Sequence, residues 1–348
     1  KQGANVEVTI DPALQQAAYD QLVGPGYEGS AVAIQPSTGK ILAMASNPGY
    51  NPNDLMGDSA EDVWANLQEQ EGQPLVNHAG AETLPPGSIF KIITTAAGLN
   101  NGFDPSSTLT GSNVITLPDT VTELTNYANQ KCNGQDAVTL QTAFALSCNT
   151  AFVEMSEQLG ADELRKYAKA FGVGENYDLG VSTSAGTLGD LPDGAATAQS
   201  AIGQRDVTMT ALQAAVMAGT VANKGTRMQP YLVNRITDAQ MKDIRTTKPK
   251  KADQAVNEET AATLTDLMYA SERSSAGYDG NGFASKTGTA EHGEGLAPHV
   301  WYVAFDPERD IAVGVVVKNG GNLGESATGG KVSGPIGRAI LRAYQGEQ

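Results

Sequence analysis

Leu84-Pro85-Pro86-Gly87-Ser88-Ile89-Phe90-Lys91 is the stretch around which the rest of the chain is arranged. Its two prolines and its glycine cannot continue a helix, whereas residues 89–97 are mostly apolar or small, so we predict a buried helix that begins at Ser88. Residues three apart lie on one side of a helix, which places Ser88 beside Lys91. The positive end of the helix dipole would lie where an oxyanion forms. The stretch therefore predicts a serine nucleophile with a lysine base whose pKa is lowered by burial.

The same spacing occurs a second time, in Ser37-Thr38-Gly39-Lys40. This copy lies between the apolar runs 31–34 and 41–44 and contains a glycine, a pattern that is typical of a hairpin turn. We predict a turn here and no catalytic role. The spacing alone is thus a weak signal, and Ser88 needs support from other parts of the chain.

A second motif, Ser147-Cys148-Asn149, occurs once. Apolar helical runs precede and follow it, at 140–146 and 151–155, so we predict a tight corner between two helices. Taken alone, its serine and asparagine are better explained as a helix cap.

A third motif, Lys286-Thr287-Gly288-Thr289, also occurs once, in a segment whose pattern is typical of a strand. We expect its lysine and two hydroxyls on one strand face, where they suit a carboxylate, and Gly288 would allow close approach of a ligand. Taken alone, Lys286 is better explained as a solvated strand residue. Together, and in this order along the chain, the three motifs favour a single active site.

The three motifs together resemble the active-site set of the penicillin-binding proteins and serine β-lactamases. The flanking sequences narrow the resemblance to class B penicillin-binding proteins, which are monofunctional D,D-transpeptidases, and among these to the mycobacterial and other actinobacterial ones. These flanks are Val8–Gln15, Leu84–Ser88, Ala201–Gln204, Thr210–Ala215, Lys286–Glu291 and His299–Phe305. One departure is Ile89, where such enzymes more often carry threonine, and it affects no catalytic role.

The resemblance implies an α/β fold of the α+β type, the β-lactamase and transpeptidase fold, with a five-stranded antiparallel sheet flanked by helices and an all-helical subdomain. We expect one transpeptidase domain over residues 1–348. Its sheet subdomain would take residues from about 1–83 and 273–348, and the helical insertion about 84–272.

The hydrophobic pattern agrees with this sheet. Apolar runs at 283–290, 299–306 and 311–318, separated by short turns, predict an antiparallel meander, which the earlier hairpin completes to five strands. Elsewhere we predict loops with one short helix at 101–135 and an exposed loop at 246–254.

The resemblance implies acyl transfer in two steps. Ser88 attacks the penultimate D-alanyl carbonyl of a stem peptide while Lys91, kept neutral by burial and a nearby lysine, takes its proton. Ser147 relays a proton to the departing D-alanine, and the backbone N–H groups of Ser88 and Thr289 hold the oxyanion. An amine of a neighbouring stem peptide then resolves the acyl-enzyme. A β-lactam acylates the same serine and persists, because it leaves no exit for a leaving group.

Substrate binding is implied in the same way. Asn149 would hydrogen-bond the backbone of the donor peptide. Lys286, Thr287 and Thr289 would bind its terminal carboxylate, with Gly288 between them.

Three alternatives stay open at this point. A D,D-carboxypeptidase shares all three motifs and differs in using water, although the class B flanks speak against it. A serine β-lactamase would need a water-activating carboxylate, such as the Glu-x-x-Leu-Asn of class A enzymes, and no such run follows Ser147. A catalytically silent β-lactam sensor is the binding-module alternative.

Composition excludes several other classes. The 348 residues are 40% hydrophobic, enough for a large core, and the formal net charge of −16 argues against nucleic acid and against a basic lipid-docking surface. His78, His292 and His299 form no cluster in the sequence, and nothing indicates a metal or an organic cofactor.

Cys132 and Cys148, sixteen positions apart, are too few for a disulfide scaffold and lack metal-site spacing. In an exported domain they could form one disulfide, which would tie a polar loop to the Ser147 corner. The alternative is two unpaired thiols.

The chain begins at Lys1 and contains no run of about 20 apolar residues. The resemblance implies the catalytic part of a longer protein on the extracytoplasmic face of the membrane, anchored by an N-terminal helix missing from this chain. Stem peptides on lipid-linked or nascent glycan would be its substrates, and β-lactam antibiotics its covalent inhibitors. A SEDS-type glycosyltransferase and divisome proteins would be its partners.

Overall fold

The computed structural model describes residues 3–346. The strands are β1 (Asn5–Val8), β2 (Gly29–Ile34), β3 (Ile41–Asn47), β4 (Thr108–Thr110), β5 (Val114–Thr116), β6 (Glu123–Thr125), β7 (Ala137–Thr139), β8 (Thr226–Met228), β9 (Val233–Thr237), β10 (Asp243–Thr246), β11 (Lys251–Gln254), β12 (Ala284–Ala290), β13 (His299–Asp306) and β14 (Ile311–Val317). The helices are α1 (Pro12–Val23), α2 (Ala60–Glu69), α3 (His78–Ala81), α4 (Lys91–Leu99), α5 (Leu140–Leu146), α6 (Asn149–Leu159), α7 (Ala161–Ala170), α8 (Gly194–Ala201), α9 (Ala211–Ala222), α10 (Glu258–Ser274) and α11 (Gly329–Ala343).

The central sheet has five antiparallel strands in the order β12, β13, β14, β2, β3. The predicted meander and hairpin are therefore confirmed, and so is the α+β fold built on a five-stranded sheet with flanking helices. Every residue of β14, in the middle, is buried. Among the strands of residues 3–346, β12 pairs only with β13 and so lies at the edge of the sheet.

Helices cover both faces of this sheet. α9 packs on one face, and α1 and α11 pack on the other. A capping box starts α9: Thr210 Oγ1 accepts from the Gln213 N–H at 3.0 Å, and Gln213 Oε1 accepts from the Thr210 N–H at 3.0 Å. Small residues let the helix approach so closely that a Cβ at Gly314 would lie 2.5 Å from the Ala215 nitrogen.

The Ser37–Lys40 segment connects β2 to β3, as predicted for a turn. Ser37 is exposed, and its N–H donates to Asp310 Oδ1 at 3.0 Å. Its hydroxyl donates to the other carboxylate oxygen of Asp310. This second Ser-x-x-Lys copy thus has a structural explanation.

Two loop predictions were incomplete. Residues 101–135 are largely loop with two short 3₁₀ helices, Tyr127–Asn129 and Cys132–Gly134, but they also hold the unpredicted strands β4, β5 and β6, of which β5 pairs with β6 and β4 pairs with β7. The predicted loop at 246–254 contains β11, which pairs with β8. Strands this short owe their structure to pairing partners, which hydrophobic periodicity does not reveal. The predicted subdomain boundaries stay a prediction.

Candidate active site

Ser88 lies in a turn that directly precedes helix α4. It belongs to a 3₁₀ turn, Gly87–Phe90, and α4 begins at Lys91, so the prediction of an α-helix from Ser88 is corrected. Gly87 has φ +56°, which a residue with a side chain rarely adopts. A 3₁₀ turn also brings residues three apart together, and Lys91 Nζ lies 3.0 Å from Ser88 Oγ.

The Ser147 corner closes over this pair. Ser147 ends α5 with φ 59°, in the left-handed region, and Asn149 begins α6. Lys91 Nζ lies 3.0 Å from the Ser147 carbonyl oxygen, 3.1 Å from Ser147 Oγ and 2.7 Å from Asn149 Oδ1. A left-handed residue other than glycine costs roughly 1–3 kcal/mol and is characteristic of functional sites. The corner is therefore shaped to present its hydroxyl and carbonyl to Lys91.

The third motif reaches the same hydroxyl from the sheet. Lys286 Nζ donates to Ser147 Oγ at 3.0 Å and to the Thr287 carbonyl oxygen at 3.0 Å. Ser147 Oγ thus lies between the two lysine amines. The Ser147 hydroxyl therefore links the Ser88 motif to the Lys286 motif.

Burial determines the protonation of this site. Lys91 and Lys286 have no exposed surface, and within residues 3–346 their hydrogen bonds go only to hydroxyl, amide and carbonyl oxygens. Burial, followed by the charge of Lys286, lowers the pKa of Lys91 well below its ordinary value. Burial lowers the pKa of Lys286 to about 7.

A neutral Lys91 fits its surroundings. Two of its partners, the Ser147 carbonyl and Asn149 Oδ1, can only accept hydrogen bonds, so they occupy both N–H bonds of a neutral amine. The remaining lone pair is left to accept a proton from a hydroxyl. Lys91 can therefore deprotonate Ser88 directly.

The strand motif differs from its prediction in two respects. Thr287 pairs with Tyr302 and Gly288 with Trp301, and strand alternation places both threonines on the face opposite Lys286. The expected common face of the lysine and the two hydroxyls was wrong, although Thr287 and Thr289 remain partly exposed on the edge strand.

Gly288 allows a close approach of another segment of the protein. A Cβ at Gly288 would lie 2.8 Å from the Pro86 carbonyl oxygen and 3.2 Å from the Ile89 nitrogen. The glycine therefore makes room for the turn that carries Ser88, where the sequence had suggested room for a ligand.

Two aromatic side chains of the site were missed from the sequence. Lys91 Nζ lies 5.3 Å from the ring centre of Phe152, and Lys286 Nζ lies 5.7 Å from that of Phe144. Both phenylalanines stand three residues from the Ser147-x-Asn149 motif, so helical spacing could have placed them on its face. They exclude water from the amines, and a ring face still favours a charged ammonium.

A polar loop is fastened to the Ser147 corner. Cys132 and Cys148 form a disulfide across a separation of 16 residues. Asn149 Nδ2 donates to the Thr125 carbonyl at 3.2 Å, and the Thr150 N–H donates to Asn126 Oδ1 at 3.0 Å. The loop and the corner therefore hold each other in place.

We expect a Cys132→Ala, Cys148→Ala double variant to lose about 3 kcal/mol of unfolding free energy, because the bond restricts the unfolded chain. We also expect slower acylation by penicillin, since the left-handed Ser147 loses a support. Denaturant unfolding and stopped-flow acylation measure the two effects.

The wild-type protein, reduced and alkylated, is the matched control. An unchanged acylation rate in both forms would leave the bond a structural feature only. Two alkylated thiols in denatured, unreduced protein would show that the bond does not form in solution.

The histidines lie outside the three motifs. The rings of His292 and His299 stack with their centres 3.9 Å apart, because the β12–β13 hairpin brings the two residues together. The sequence did not reveal this pair. His78 Nδ1 lies 2.6 Å from Glu82 Oε2.

Within residues 3–346, no group of three or more His, Cys, Asp or Glu side chains is arranged to hold a metal ion. In the same part of the chain, no helix has the length and apolar character to span a membrane.

Known proteins resemble this chain over nearly its whole length. Residues 29–342 match the family model of the penicillin binding protein transpeptidase domain. The peptidoglycan D,D-transpeptidase PbpA of Mycolicibacterium smegmatis is 45% identical, over 98% of this chain and 72% of the relative.

Solved structures give the same result. The ceftriaxone acyl-enzyme complex of penicillin-binding protein A from Mycobacterium tuberculosis has a TM-score of 0.95 and 41% identity, covering 99% of this chain and 81% of that chain. The penicillin G acyl-enzyme complex of the same protein has a TM-score of 0.93 and 42% identity, covering 98% and 80%.

Proposed function

The chain belongs to the penicillin-binding protein transpeptidase family, as its motifs predicted, and we propose that it is a peptidoglycan D,D-transpeptidase working through a serine acyl-enzyme. The observation that carries the proposal is the contact of a fully buried Lys91 with both Ser88 and Ser147. The acyl-enzyme complexes of the M. tuberculosis relative with ceftriaxone and penicillin G support inhibition by β-lactams.

Acylation begins with proton transfer from Ser88 to neutral Lys91 as Ser88 Oγ attacks the D-alanyl carbonyl carbon. The backbone N–H groups of Ser88 and Thr289 stabilise the oxyanion, and the close approach of the two backbones supports this role: a Cβ at Gly87 would lie 3.0 Å from the Thr289 carbonyl oxygen. The intermediate collapses when the peptide C–N bond breaks.

The departing D-alanine needs a proton on its amine. Ser147 Oγ lies 3.1 Å from Lys91 Nζ, so the proton taken from Ser88 can pass through the Ser147 hydroxyl to the leaving group. The amine of an acceptor stem peptide then attacks the ester by the reverse route, which returns the proton to Ser88.

Substrate binding uses the remaining motif residues. The partly exposed hydroxyls of Thr287 and Thr289 on the edge strand bind the terminal carboxylate, and the charge of Lys286 attracts it from the other face of the strand. Gly288 packs on the nucleophile turn. Asn149 binds the donor backbone through its amide, which lies between Lys91 and the Thr125 carbonyl.

The lysine protonation predicts a pH optimum for acylation. Lys91 acts as a base only above its own pKa, which burial and, to a smaller extent, the charge of Lys286 lower. Lys286 is charged only below its pKa of about 7, so carboxylate capture weakens as the pH rises through that value. We expect the second-order rate constant for penicillin acylation to be bell-shaped from about pH 5 to about pH 10, with limbs that belong to the coupled pair.

The control is Lys286→Arg, whose guanidinium stays charged. We expect this variant to lose the alkaline limb of the profile, whatever its absolute rate. A wild-type rate constant that keeps rising to about pH 10 contradicts a charged Lys286.

A D-alanyl-D-alanine thioester with a D-amino acid acceptor tests the proposed function. A transpeptidase transfers the acyl group to the amine, so aminolysis products should exceed hydrolysis products. Hydrolysis alone indicates a carboxypeptidase, and a stable acyl-enzyme with no turnover indicates a sensor. Rapid hydrolysis of penicillin itself indicates a β-lactamase.

The place of action follows from the substrate. Peptidoglycan stem peptides, on lipid-linked or nascent glycan, are cross-linked outside the cytoplasmic membrane, and we propose that this domain works there with an N-terminal membrane anchor. Roles in cell division or cell shape, with a SEDS-type glycosyltransferase and divisome proteins as partners, are proposed from the class B resemblance. Fractionation of cells that make the full-length protein, followed by crosslinking, tests both.

A further inference from the structure

Trp301 connects the nucleophile turn to the sheet. Its side chain is fully buried on β13, and its indole Nε1–H donates to the Pro85 carbonyl oxygen at 2.8 Å. Pro85 stands three residues before Ser88, at the start of the segment that leads into the 3₁₀ turn. The bond joins positions 216 residues apart in the chain.

The backbone of Trp301 pairs with the strand that carries Thr289, the other proposed oxyanion donor. Trp301 pairs with Gly288 in the β12–β13 ladder, next to Thr289. One residue therefore contacts the segment before Ser88 through its side chain and the neighbour of Thr289 through its backbone.

The hydrogen bond to the Pro85 carbonyl is well placed to hold the segment before Ser88 against the sheet. Proline has no N–H, so neither Pro85 nor Pro86 can donate a backbone hydrogen bond. On either side of them, the Leu84 N–H donates to the Met209 carbonyl at 2.9 Å, and the Gly87 N–H donates to the Gly203 carbonyl at 3.0 Å. Both of those bonds lead away from β12 and β13, whereas the indole bond leads to the sheet.

We propose that Trp301 is a positioning residue that sets the separation between the Ser88 and Thr289 N–H groups of the oxyanion hole. This inference rests on the proposed acyl-transfer function. Oxyanion stabilisation requires both donors within about 2.7–3.1 Å of one oxygen, so a small shift of the turn weakens it. Loss of one donor outright costs roughly 100-fold to 1,000-fold in rate, and we expect a displaced donor to cost about tenfold.

The test replaces the indole N–H while keeping an aromatic ring. Trp301→Phe removes the donor, and incorporation of 3-benzothienylalanine at the same position removes it with nearly the same ring volume. Tyr302→Phe is the matched control, because its hydroxyl donates a buried hydrogen bond to Glu272 at 2.9 Å on the opposite sheet face.

Penicillin acylation is measured as a rate constant per active site, with the burst amplitude counting the folded sites. We expect about a tenfold lower rate constant in both Trp301 variants, with noncovalent affinity and amplitude little changed, and less than about a twofold change in Tyr302→Phe. The ester carbonyl stretch of the acyl-enzyme should shift to higher frequency, because its oxygen accepts weaker hydrogen bonds.

Several results would overturn the inference. These are unchanged rate constants with unchanged carbonyl frequency, a loss of amplitude alone, an equal loss in Tyr302→Phe, or failure of the benzothienyl variant to fold. Failure of the proposed function is distinct, since it requires that the wild-type protein is not acylated at Ser88.

Discussion

We expect Ser88→Ala to lose covalent labelling by penicillin completely, because alanine has no oxygen on which an acyl ester can form. Ser88 is partly exposed, and its Oγ lies 3.0 Å from the buried amine of Lys91. Its loss removes one hydrogen bond, so unfolding free energy should change by no more than about 1.5 kcal/mol. Intact mass after incubation with penicillin measures labelling, and thermal unfolding measures stability.

Ser37→Ala is the matched control, since it removes the serine of the second Ser-x-x-Lys copy. Ser37 sits in an exposed turn and is bound to Asp310, so this variant should label like the wild type. A labelled Ser88→Ala protein, with the adduct mapped to any other serine, would remove Ser88 from the mechanism.

Lys91→Arg should acylate about 100-fold to 10,000-fold more slowly, which is the usual contribution of a general base. A guanidinium stays protonated at every accessible pH and cannot take the Ser88 proton. Lys91 is fully buried with a pKa far below its ordinary value, so a permanent charge here also destabilises the fold. Stopped-flow acylation and denaturant unfolding separate the two effects.

Lys91→Met gives a second, uncharged test, since it keeps most of the side-chain volume without a base. Lys40→Arg, in the turn copy of the motif, is the control for the substitution itself. Near-normal acylation in Lys91→Met would show that another group activates Ser88.

Much of the site is determined by local geometry and is therefore readable from the sequence. Ser88 and Lys91 are three residues apart, and any helical turn brings them together, whether α or 3₁₀. The same holds for the corner between α5 and α6, whose apolar periodicity ends and restarts around Cys148.

Most of the sheet was also predictable, because strands such as β13 and β14 are continuous apolar runs separated by a short turn. The short strands β5, β6 and β11 were not, since three or four residues carry too little hydrophobic pattern and the strands depend on their pairing partners. Strand alternation could have excluded a common face for Lys286 and Thr287, which are adjacent in the chain.

What only the tertiary structure decided is the environment of these groups. Lys91 meets Ser147 across 56 residues and Lys286 meets it across 139, so the shared hydroxyl and the lowering of the Lys91 pKa by burial and by the charge of Lys286 exist only after folding. The hydrogen bond from Trp301 to Pro85 likewise forms only after folding, because its residues are 216 positions apart. Burial and long-range hydrogen bonds depend on residues that are far apart in the chain, whereas a short motif constrains only neighbours within a turn or a strand. The sequence by itself therefore determined which residues could react, and the packing of the helices against the sheet decided their protonation and their separation.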